Sequence, residues 1–331
     1  MRAWLPQTVL RGAARVIACA ILFLNVLAGY AGRQAVPTRQ DDNSGSFRVS
    51  VDVALVVLHA TVSDQEGGLV SNLTEQDFKV YESGAPQRIR LFKNEDIPVT
   101  VGLVIDHSTT MLRKMTEVTA AARTFVRSSN RDDEMFVVNF ADRPTLGLPG
   151  SIRFTDDAVE LARAIANTPI EGMTALYDAV SMALLELQAS SRDKKALIVV
   201  SDGGDNVSEH SLAQVVKLAE RSSAVIYAIG IFDEDDPDQN PGALKRLAQA
   251  TGGEAFLPGQ LSEVVAICER IARDMRHQYT IGYVPINLPP DGAYRAIRVE
   301  ARTKGFGKLT VRTRAGYIAG GEPRSGESHA Q

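Results

Sequence analysis

The sequence predicts an α/β protein, with a doubly wound, mostly parallel, Rossmann-like sheet that carries helices on both faces and is inserted in a small β-sandwich-like domain. Apolar, strand-length runs alternate with helix-length segments across residues 97–278, which is typical of a covered parallel sheet. Strand-like segments without helices flank this region at residues 47–96 and 279–319. Neither flank is large enough to bury a core alone, so we expect the two to pair into one domain.

The composition is that of an ordinary globular protein. The 331 residues are 44% hydrophobic and 23% charged, with a net charge of -4. This balance excludes a broad basic surface, and we expect no nucleic-acid partner. The two cysteines, Cys19 and Cys268, cannot form a disulfide framework in a mature chain that has lost its first segment.

The amino-terminal segment has the pattern of a secretory signal peptide. Three arginines precede the apolar stretch Val16–Ala28, and small residues follow it. The stretch is shorter than the roughly 20 residues that cross a bilayer. We therefore predict a signal peptide over residues 1–31 and an exported protein, periplasmic or extracellular. The alternative is an uncleaved anchor, which is the one way this sequence offers to contact a membrane.

The first β segment follows a polar linker at residues 32–46. Apolar residues occupy alternate positions from Phe47 to Val57, which indicates a strand with one buried face. Further along the chain the sequence predicts a turn at Asp64–Gly68, strands at Asp77–Tyr81 and Arg88–Phe92, and a second turn at Gly84–Pro86.

The α/β segment is read from apolar runs and from helix-end signals. Asp156 and Asp157 suit the positive end of a helix dipole, and Gly252 suits a helix stop. The predicted strands are Val99–Ile105, Met135–Phe140, a short edge strand Ile152–Phe154, Ala196–Val200, Ala224–Ile229 and Glu254–Leu257. The predicted helices are Leu112–Val126, Asp156–Ala166, Ala175–Leu187, Ser208–Arg221, Pro241–Thr251 and Leu261–Arg276.

A β pattern returns at the carboxyl-terminal end. Three strands are predicted, at Tyr279–Val284, Ala296–Ala301 and Leu309–Thr313, with a loop at Leu288–Gly292 between the first two. The tail at residues 320–331 is polar, and we expect it to be disordered.

Oxygen-bearing side chains follow the first strand of the α/β segment. The apolar run ends at Asp106, and hydroxyls follow at Ser108 and Thr110 on the turn that leads to the next helix. Open parallel sheets bind ligands at the carboxyl ends of their strands. One carboxylate with two hydroxyls forms a hard-oxygen set of the kind that Mg²⁺ prefers.

Two other segments reach the same edge of the predicted sheet. Thr174 stands just before a predicted helix, and Asp202 follows a buried strand directly. Three loops therefore offer two carboxylates and three hydroxyls.

These five residues resemble the metal-ion-dependent adhesion site of the von Willebrand factor type A family, which is written D-x-S-x-S with a later Thr and Asp. Thr110 stands at the family's second Ser, so it keeps the hydroxyl and adds a methyl group. The segment Leu73–Glu82 and the chain end around Tyr283 and Tyr317 are similar to the family's exported proteins of acidobacterial type. The likeness covers residues 47–317.

The resemblance implies a binding module rather than an enzyme. In that family the Ser and Thr positions bind Mg²⁺ directly or through water, and Mn²⁺ or Ca²⁺ are alternatives. The two Asp residues often act through water, and an acidic residue of a protein partner completes the coordination. Asp205 and His107 are candidates for contacts behind these ligands, although His107 is expected to be exposed.

Two rival functions use the same residues. One is a metal-assisted hydrolase or phosphatase, and the other is a structural assembly protein with a vestigial site. The sequence contains neither the G-x-S-x-G nor the H-E-x-x-H arrangement of hydrolases. It also contains no phosphate-binding glycine loop after a strand. The motifs therefore favour binding.

Overall fold

The computed structural model describes residues 55–233, 237–286 and 292–319, all within one compact unit of the chain. The predicted signal peptide, the linker, most of the first predicted strand and the polar tail lie outside the described residues. Within the described part, no helix is long and apolar enough to cross a membrane.

A six-stranded sheet forms the centre of the α/β part. Its order is β10-β9-β8-β5-β6-β7, and all neighbours are parallel except the edge strand β7. All eight residues of β5 are buried, so both faces of the sheet are covered, as predicted. The strands are β5 (Val99–Asp106), β6 (Glu134–Phe140), β7 (Pro144–Leu146), β8 (Lys194–Ser201), β9 (Val225–Gly230) and β10 (Ala255–Phe256).

Six helices pack against this sheet and against each other. The Asp157 carboxylate caps α2, while Pro241 opens α5 and Gly252 closes it at φ 80°. These are the end signals seen in the sequence. The helices are α1 (Met115–Ser128), α2 (Ala158–Ala166), α3 (Leu176–Leu187), α4 (Leu212–Arg221), α5 (Pro241–Thr251) and α6 (Glu263–Arg276).

The chain ends pair into two antiparallel sheets, as the sequence predicts. Their strand orders are β13-β1-β11-β4 and β14-β12-β2-β3, so each sheet combines strands from both ends of the chain. The strands are β1 (Val56–Ser63), β2 (Phe78–Glu82), β3 (Ala85–Gln87), β4 (Ile89–Lys93), β11 (Tyr279–Tyr283), β12 (Tyr294–Ala301), β13 (Thr310–Arg312) and β14 (Gly316–Ile318).

A second hydrophobic core joins these two sheets. Leu58 and Ile281 from one sheet are buried in the same cluster as Val80 from the other. Phe78 lies 5.0 Å from Tyr279, measured between ring centroids, in a tilted contact across the sheets. The second core therefore has the face-to-face packing of a small sandwich.

Several secondary-structure predictions were wrong. Residues Ile152–Phe154 form no strand, and the edge position belongs to β7 at Pro144–Leu146. The helix predicted from Ser208 begins at Leu212, because Ser211 and Gln214 form its capping box. Two residues of the turn predicted at Gly84–Pro86, Ala85 and Pro86, lie in β3. Strand β14 was not predicted. Strands β3 and β14 each have three residues, which are too few to show an alternating pattern.

The inward face of β1 also differs from the alternation read in the sequence. Leu55 and Val57 were expected inside, yet Leu55 is exposed and Val57 only half-buried. Val56, Leu58 and Ala60 are buried instead. Most of this strand is covered on both faces, so burial along it does not follow a period of two.

An ion pair with a buried carboxylate connects the sheet that contains β1 and β13 to the α/β part. Arg312 of β13 donates to Asp274 of α6 at 2.8 Å and also contacts Glu254, just before β10. Nearby, Gln278 Nε2 donates to the hydroxyl of Tyr227 at 3.1 Å. Polar bonds thus join this sheet to the α/β part.

His59 of β1 makes the stability of this protein depend on pH. Burial, reinforced by the charges of Lys194 and Arg314, lowers the pKa of His59 from 6.5 to about 3. The folded protein keeps the imidazole neutral, whereas the unfolded chain binds a proton below about pH 6.5. The stability from this residue is therefore present above pH 6.5 and lost as the pH falls towards 3.

We expect this residue to remove roughly 2 kcal/mol of unfolding free energy between pH 7 and pH 5. Urea unfolding at both pH values should show that loss in wild type and a much smaller one in His59→Gln. An equal loss in both proteins would assign the pH dependence to other groups.

Candidate metal centre

The central strand and its neighbour deliver two carboxylates to one edge of the sheet. β5 lies between β6 and β8 and runs parallel to both. Ile105 pairs with Val200, so Asp106 and Asp202 leave the ends of adjacent strands. Asp106 has no exposed surface and Asp202 is 2% exposed. The sequence prediction of both positions at strand ends is confirmed.

Hydrogen bonds connect four of the five predicted ligands. The Ser108 backbone N–H donates to Asp106 Oδ1 at 2.9 Å. The hydroxyls of Ser108 and Thr110 are 3.1 Å apart, and Thr110 Oγ1 donates to Asp202 Oδ2 at 2.7 Å. The two carboxylates and two hydroxyls therefore form one continuous cluster at the sheet edge.

Thr174, the fifth predicted ligand, is held at this edge by its backbone. Its N–H donates to Asn206 Oδ1 at 2.9 Å, and its carbonyl oxygen accepts the Asn206 N–H at 3.0 Å. Asn206 is four residues after Asp202, on the same loop. Thr174 is 6% exposed, so it is buried beside the loop that carries Asp202.

The loop after β8 is fixed by close backbone contacts. Gly203 has φ 81°, and a Cβ there would lie 2.3 Å from the carbonyl oxygen of Asn240. The Asn240 N–H donates to the carbonyl oxygen of Asp202 at 3.0 Å. Only glycine fits both the backbone angle and the space, so the sequence Asp202-Gly203 is required at this strand end.

His107 is buried, and the expectation of an exposed side chain was wrong. It is 1% exposed, and its Nε2 lies 3.1 Å from Asn139 Oδ1 on β6. Asn139 in turn donates to the Ala164 carbonyl of α2. Burial lowers the pKa of His107. The ring is therefore neutral and packed between β6 and α2.

Asp205 contacts the start of a helix rather than the four-residue cluster. Its Oδ1 accepts the Tyr177 N–H at 3.0 Å and the Ser208 hydroxyl at 2.5 Å. Burial raises its pKa. Asp205 thus links the Asp202 loop to α3, the helix that follows Thr174.

The charge of the cluster suits a cation. Burial, with a smaller contribution from the charge of Asp202, raises the pKa of Asp106 to about 6 against the opposing hydrogen bonds from Ser108 and Ser201. Among the described residues, neither Asp106 nor Asp202 pairs with a Lys, Arg or His. Buried carboxylates without a cationic partner are costly. Together with the hydroxyls they are the ligand types that Mg²⁺ prefers, so the residues fit a hard divalent cation.

Metal sites rich in His, Cys or carboxylates have no counterpart here. No group of three or more His, Cys, Asp or Glu that could hold a metal occurs in the described part of the chain. The cluster at the end of β5 has two carboxylates, and hydroxyls supply the remaining ligands. That composition separates it from a typical zinc site.

Two buried polar residues were missed in the sequence, and one of them contacts the cluster. Ser201 is fully buried; its hydroxyl donates to Asp106 Oδ2 at 2.7 Å and accepts the Gly203 N–H. Lys114 is also buried and reaches the Ile231 carbonyl at 3.0 Å, which connects α1 to the loop after β9. A serine at the end of an apolar strand was a visible signal, whereas nothing in the sequence marked Lys114 as buried.

The fold and the cluster define a class of protein: a doubly wound α/β domain with an oxygen-rich, cation-compatible centre at the carboxyl edge of its sheet. The family model of the von Willebrand factor type A domain matches residues 100–265. The chain belongs to this family. No curated protein matches the chain at a significant level.

Several solved structures are similar in fold. The vWF domain of the type V pili tip protein Mfa5 from Porphyromonas gingivalis is 15% identical, with TM-score 0.46, over 54% of this chain and 95% of that one. The von Willebrand factor type A protein from Catenulispora acidiphila is 13% identical, with TM-score 0.47, over 81% and 73%. Proximal thread matrix protein 1 from the mussel byssus, with a zinc-occupied MIDAS motif, is 18% identical, with TM-score 0.47, over 57% and 48%.

Proposed function

We propose that this protein is an exported binding module that recognises a protein partner through a divalent metal ion. The observation that carries the proposal is the buried cluster of Asp106, Ser108, Thr110 and Asp202, in which neither carboxylate has a cationic partner within the described residues. Membership of the von Willebrand factor type A family supports it, because the family's adhesion site uses these residue types at this spacing.

Five residues would hold the metal: Asp106, Ser108, Thr110, Thr174 and Asp202. When bound, the ion supplies a positive centre that a carboxylate of the partner can approach. Mg²⁺ suits this oxygen set, with Mn²⁺ or Ca²⁺ as alternatives. The hydroxyls contribute no charge, so the two carboxylates leave the divalent ion without an excess of negative ligands. This balance favours an acidic residue as the partner's contact.

Three exposed apolar residues lie within a few positions of the proposed ligands in the sequence. Leu112 is 65% exposed and follows Thr110 by two residues, while Met173 is 49% exposed and precedes Thr174. Val207 is 36% exposed, and its N–H donates to the Thr174 carbonyl. Exposed apolar groups beside a polar site are typical of interaction surfaces. They support a protein partner over a small ion or sugar.

Among the described residues, the cluster offers binding groups, and no histidine is placed to act as a base beside it. His107 is the histidine nearest in sequence, yet it is buried against Asn139 with a lowered pKa. A general base must reach the proton that it removes, and His107 faces β6 and α2 instead. This geometry supports recognition over hydrolysis.

We also propose the remaining assignments made from sequence. Residues 1–31 would direct export to the periplasm or the cell exterior, and residues 32–46 would link them to the folded part. Residues 47–96 and 279–319 would form one domain, with residues 97–278 as the metal-binding domain and residues 320–331 as a tail. Mixed pairing of strands from both chain ends supports this division.

Metal-dependent capture tests the proposal directly. Immobilised wild-type protein should retain a partner from native cell-envelope extract in Mg²⁺ and release it in EDTA. Asp202→Ala should retain none of it, because the variant lacks one of the two proposed carboxylate ligands. Bound proteins are compared by quantitative mass spectrometry, and the melting temperature of each variant confirms that it is folded.

Asp132→Ala is the matched control. Asp132 is exposed, and it stands two residues before β6 begins. It therefore lies at the amino-terminal ends of the parallel strands, opposite the proposed metal site. This variant loses the same charge and should capture the partner as wild type does. Retention of the same proteins in EDTA, or by Asp202→Ala, would contradict metal-dependent recognition.

A further inference from the structure

Helix α3 begins without a cap from its own N-cap residue. The residue at its N-cap is Ala175, which has no side-chain oxygen and makes no capping hydrogen bond. The first N–H groups of a helix need acceptors from elsewhere. Thr174, a proposed metal ligand, precedes this uncapped end by one residue, so whatever satisfies the helix end also determines where Thr174 lies.

The loop that carries Asp202 supplies the missing cap. Asp205 Oδ1 accepts the Tyr177 N–H at 3.0 Å, and Ser208 Oγ accepts the Asp178 N–H at 3.1 Å. Ser208 Oγ also donates to Asp205 Oδ1 at 2.5 Å, so the two capping groups hold each other. Both acceptors come from a segment about 30 residues further along the chain.

Asn206, which lies between the two capping residues, is hydrogen-bonded to Thr174 itself. It makes two bonds to the same residue: its Oδ1 accepts the Thr174 N–H at 2.9 Å, and its own N–H donates to the Thr174 carbonyl at 3.0 Å. A two-point contact of this kind fixes both the position and the orientation of the Thr174 peptide. Since Asn206 is exposed, its side chain adds little to the core.

The far end of the loop is tied to the same helix. Asp178 accepts the backbone N–H groups of Glu209 and His210, at 2.9 and 3.0 Å. His210 Nδ1 also lies 2.6 Å from Asp178 Oδ1. The loop is therefore fastened to α3 before and after Ser208, and it cannot shift without the start of the helix.

We infer that Asn206 is a positioning residue for the metal centre, where it fixes Thr174 relative to Asp202 with Asp205 and Ser208 in support. This inference rests on the proposed function. Two loops that each carry a metal ligand are locked together by polar bonds outside the ligand set. Such supporting bonds orient the ligands before the ion binds and raise the affinity for it.

Isothermal titration of the full mature chain with Mg²⁺ tests this role. Asn206→Ala should bind Mg²⁺ roughly 10-fold more weakly than wild type. Asn206→Asp keeps the Oδ1 acceptor for the Thr174 N–H and should stay close to wild type. Melting temperatures in EDTA and in Mg²⁺ give a second readout, in which Asn206→Ala should show a smaller rise on addition of Mg²⁺.

Asn130→Ala is the matched control, because Asn130 Oδ1 also accepts a backbone N–H, that of Asp132, in a loop at the other edge of the sheet. A purely structural change of this kind lowers the melting temperature equally with and without Mg²⁺ and leaves the dissociation constant unchanged. If Asn206→Ala does not fold, Ser208→Ala takes its place, with an expected weakening of roughly threefold.

The outcomes separate the two proposals. If wild type binds Mg²⁺ and the folded Asn206→Ala or Ser208→Ala protein binds it equally tightly, the positioning role is overturned and the proposed function stands. If wild type binds no Mg²⁺, the proposed function and this inference both fail. Weaker binding by Asn206→Ala with recovery in Asn206→Asp establishes the role.

Discussion

In EDTA, Asp106→Asn should be at least as stable as wild type, yet Mg²⁺ should no longer raise its melting temperature. Asp106 is fully buried, and it has no cationic partner within the described residues. A buried, unpaired carboxylate costs free energy that a neutral amide avoids. The substitution therefore removes the charge that we propose to bind metal and keeps the shape of the side chain that the fold needs.

The local bonds around Asp106 can survive this change. An asparagine Oδ1 can still accept the Ser108 N–H, and its amide can donate to Ser201 Oγ, which now lies 2.7 Å from Asp106 Oδ2. Wild type should gain about 2.7 kcal/mol from Mg²⁺ at 100 times its dissociation constant. The variant should gain almost nothing, because we expect its affinity to be more than about 100-fold lower.

Differential scanning calorimetry in EDTA and in Mg²⁺ measures both effects. Asp132→Asn removes an exposed charge at the opposite edge of the sheet and should keep the full Mg²⁺ response. An undiminished response in Asp106→Asn would show that Asp106 is not a ligand. Loss of stability by several kcal/mol in EDTA would show instead that its carboxylate is needed for the fold.

Much of the fold could be predicted because its signals are local. The parallel strand β5 is a run of apolar residues, and α5 has Pro241 at its start and Gly252 at its end. The failures have non-local causes. Leu55 and Val57 were placed inside by their spacing, whereas the buried residues of β1 pack in one cluster with residues of β2 and β11, from distant parts of the chain. The alternation of apolar and polar residues along a strand does not show which distant segments will bury it.

The same distinction applies to the metal centre. Asp106, Ser108 and Thr110 share one turn, so their spacing alone predicted that they would meet. His107, in the middle of that turn, was expected to be exposed, and only the packing of α2 against β6 buries it. Ser208, which was predicted to begin the next helix, instead caps α3. When a residue's contacts are made with a distant segment, the neighbouring sequence does not indicate them.

Arg312→Met should cost about 3 kcal/mol of unfolding free energy, the largest loss of stability that we expect from one side chain here. Asp274 is 1% exposed, and Arg312 is its one ion-pair partner in the described part of the chain. Methionine keeps the apolar stem of arginine and removes the guanidinium. The Asp274 carboxylate would then stay buried without a counter-charge, where α6 meets β13.

Removal of both charges should restore most of the stability. Arg312→Met with Asp274→Asn leaves no buried charge where α6 meets β13, so we expect the double variant to lie within about 1 kcal/mol of wild type in urea unfolding. Arg270→Met is the control: Arg270 pairs with Glu254, which Arg312 also contacts, but is 46% exposed. An exposed pair contributes less than about 1 kcal/mol. If Arg270→Met costs as much as Arg312→Met, burial of Asp274 is not the cause of the loss.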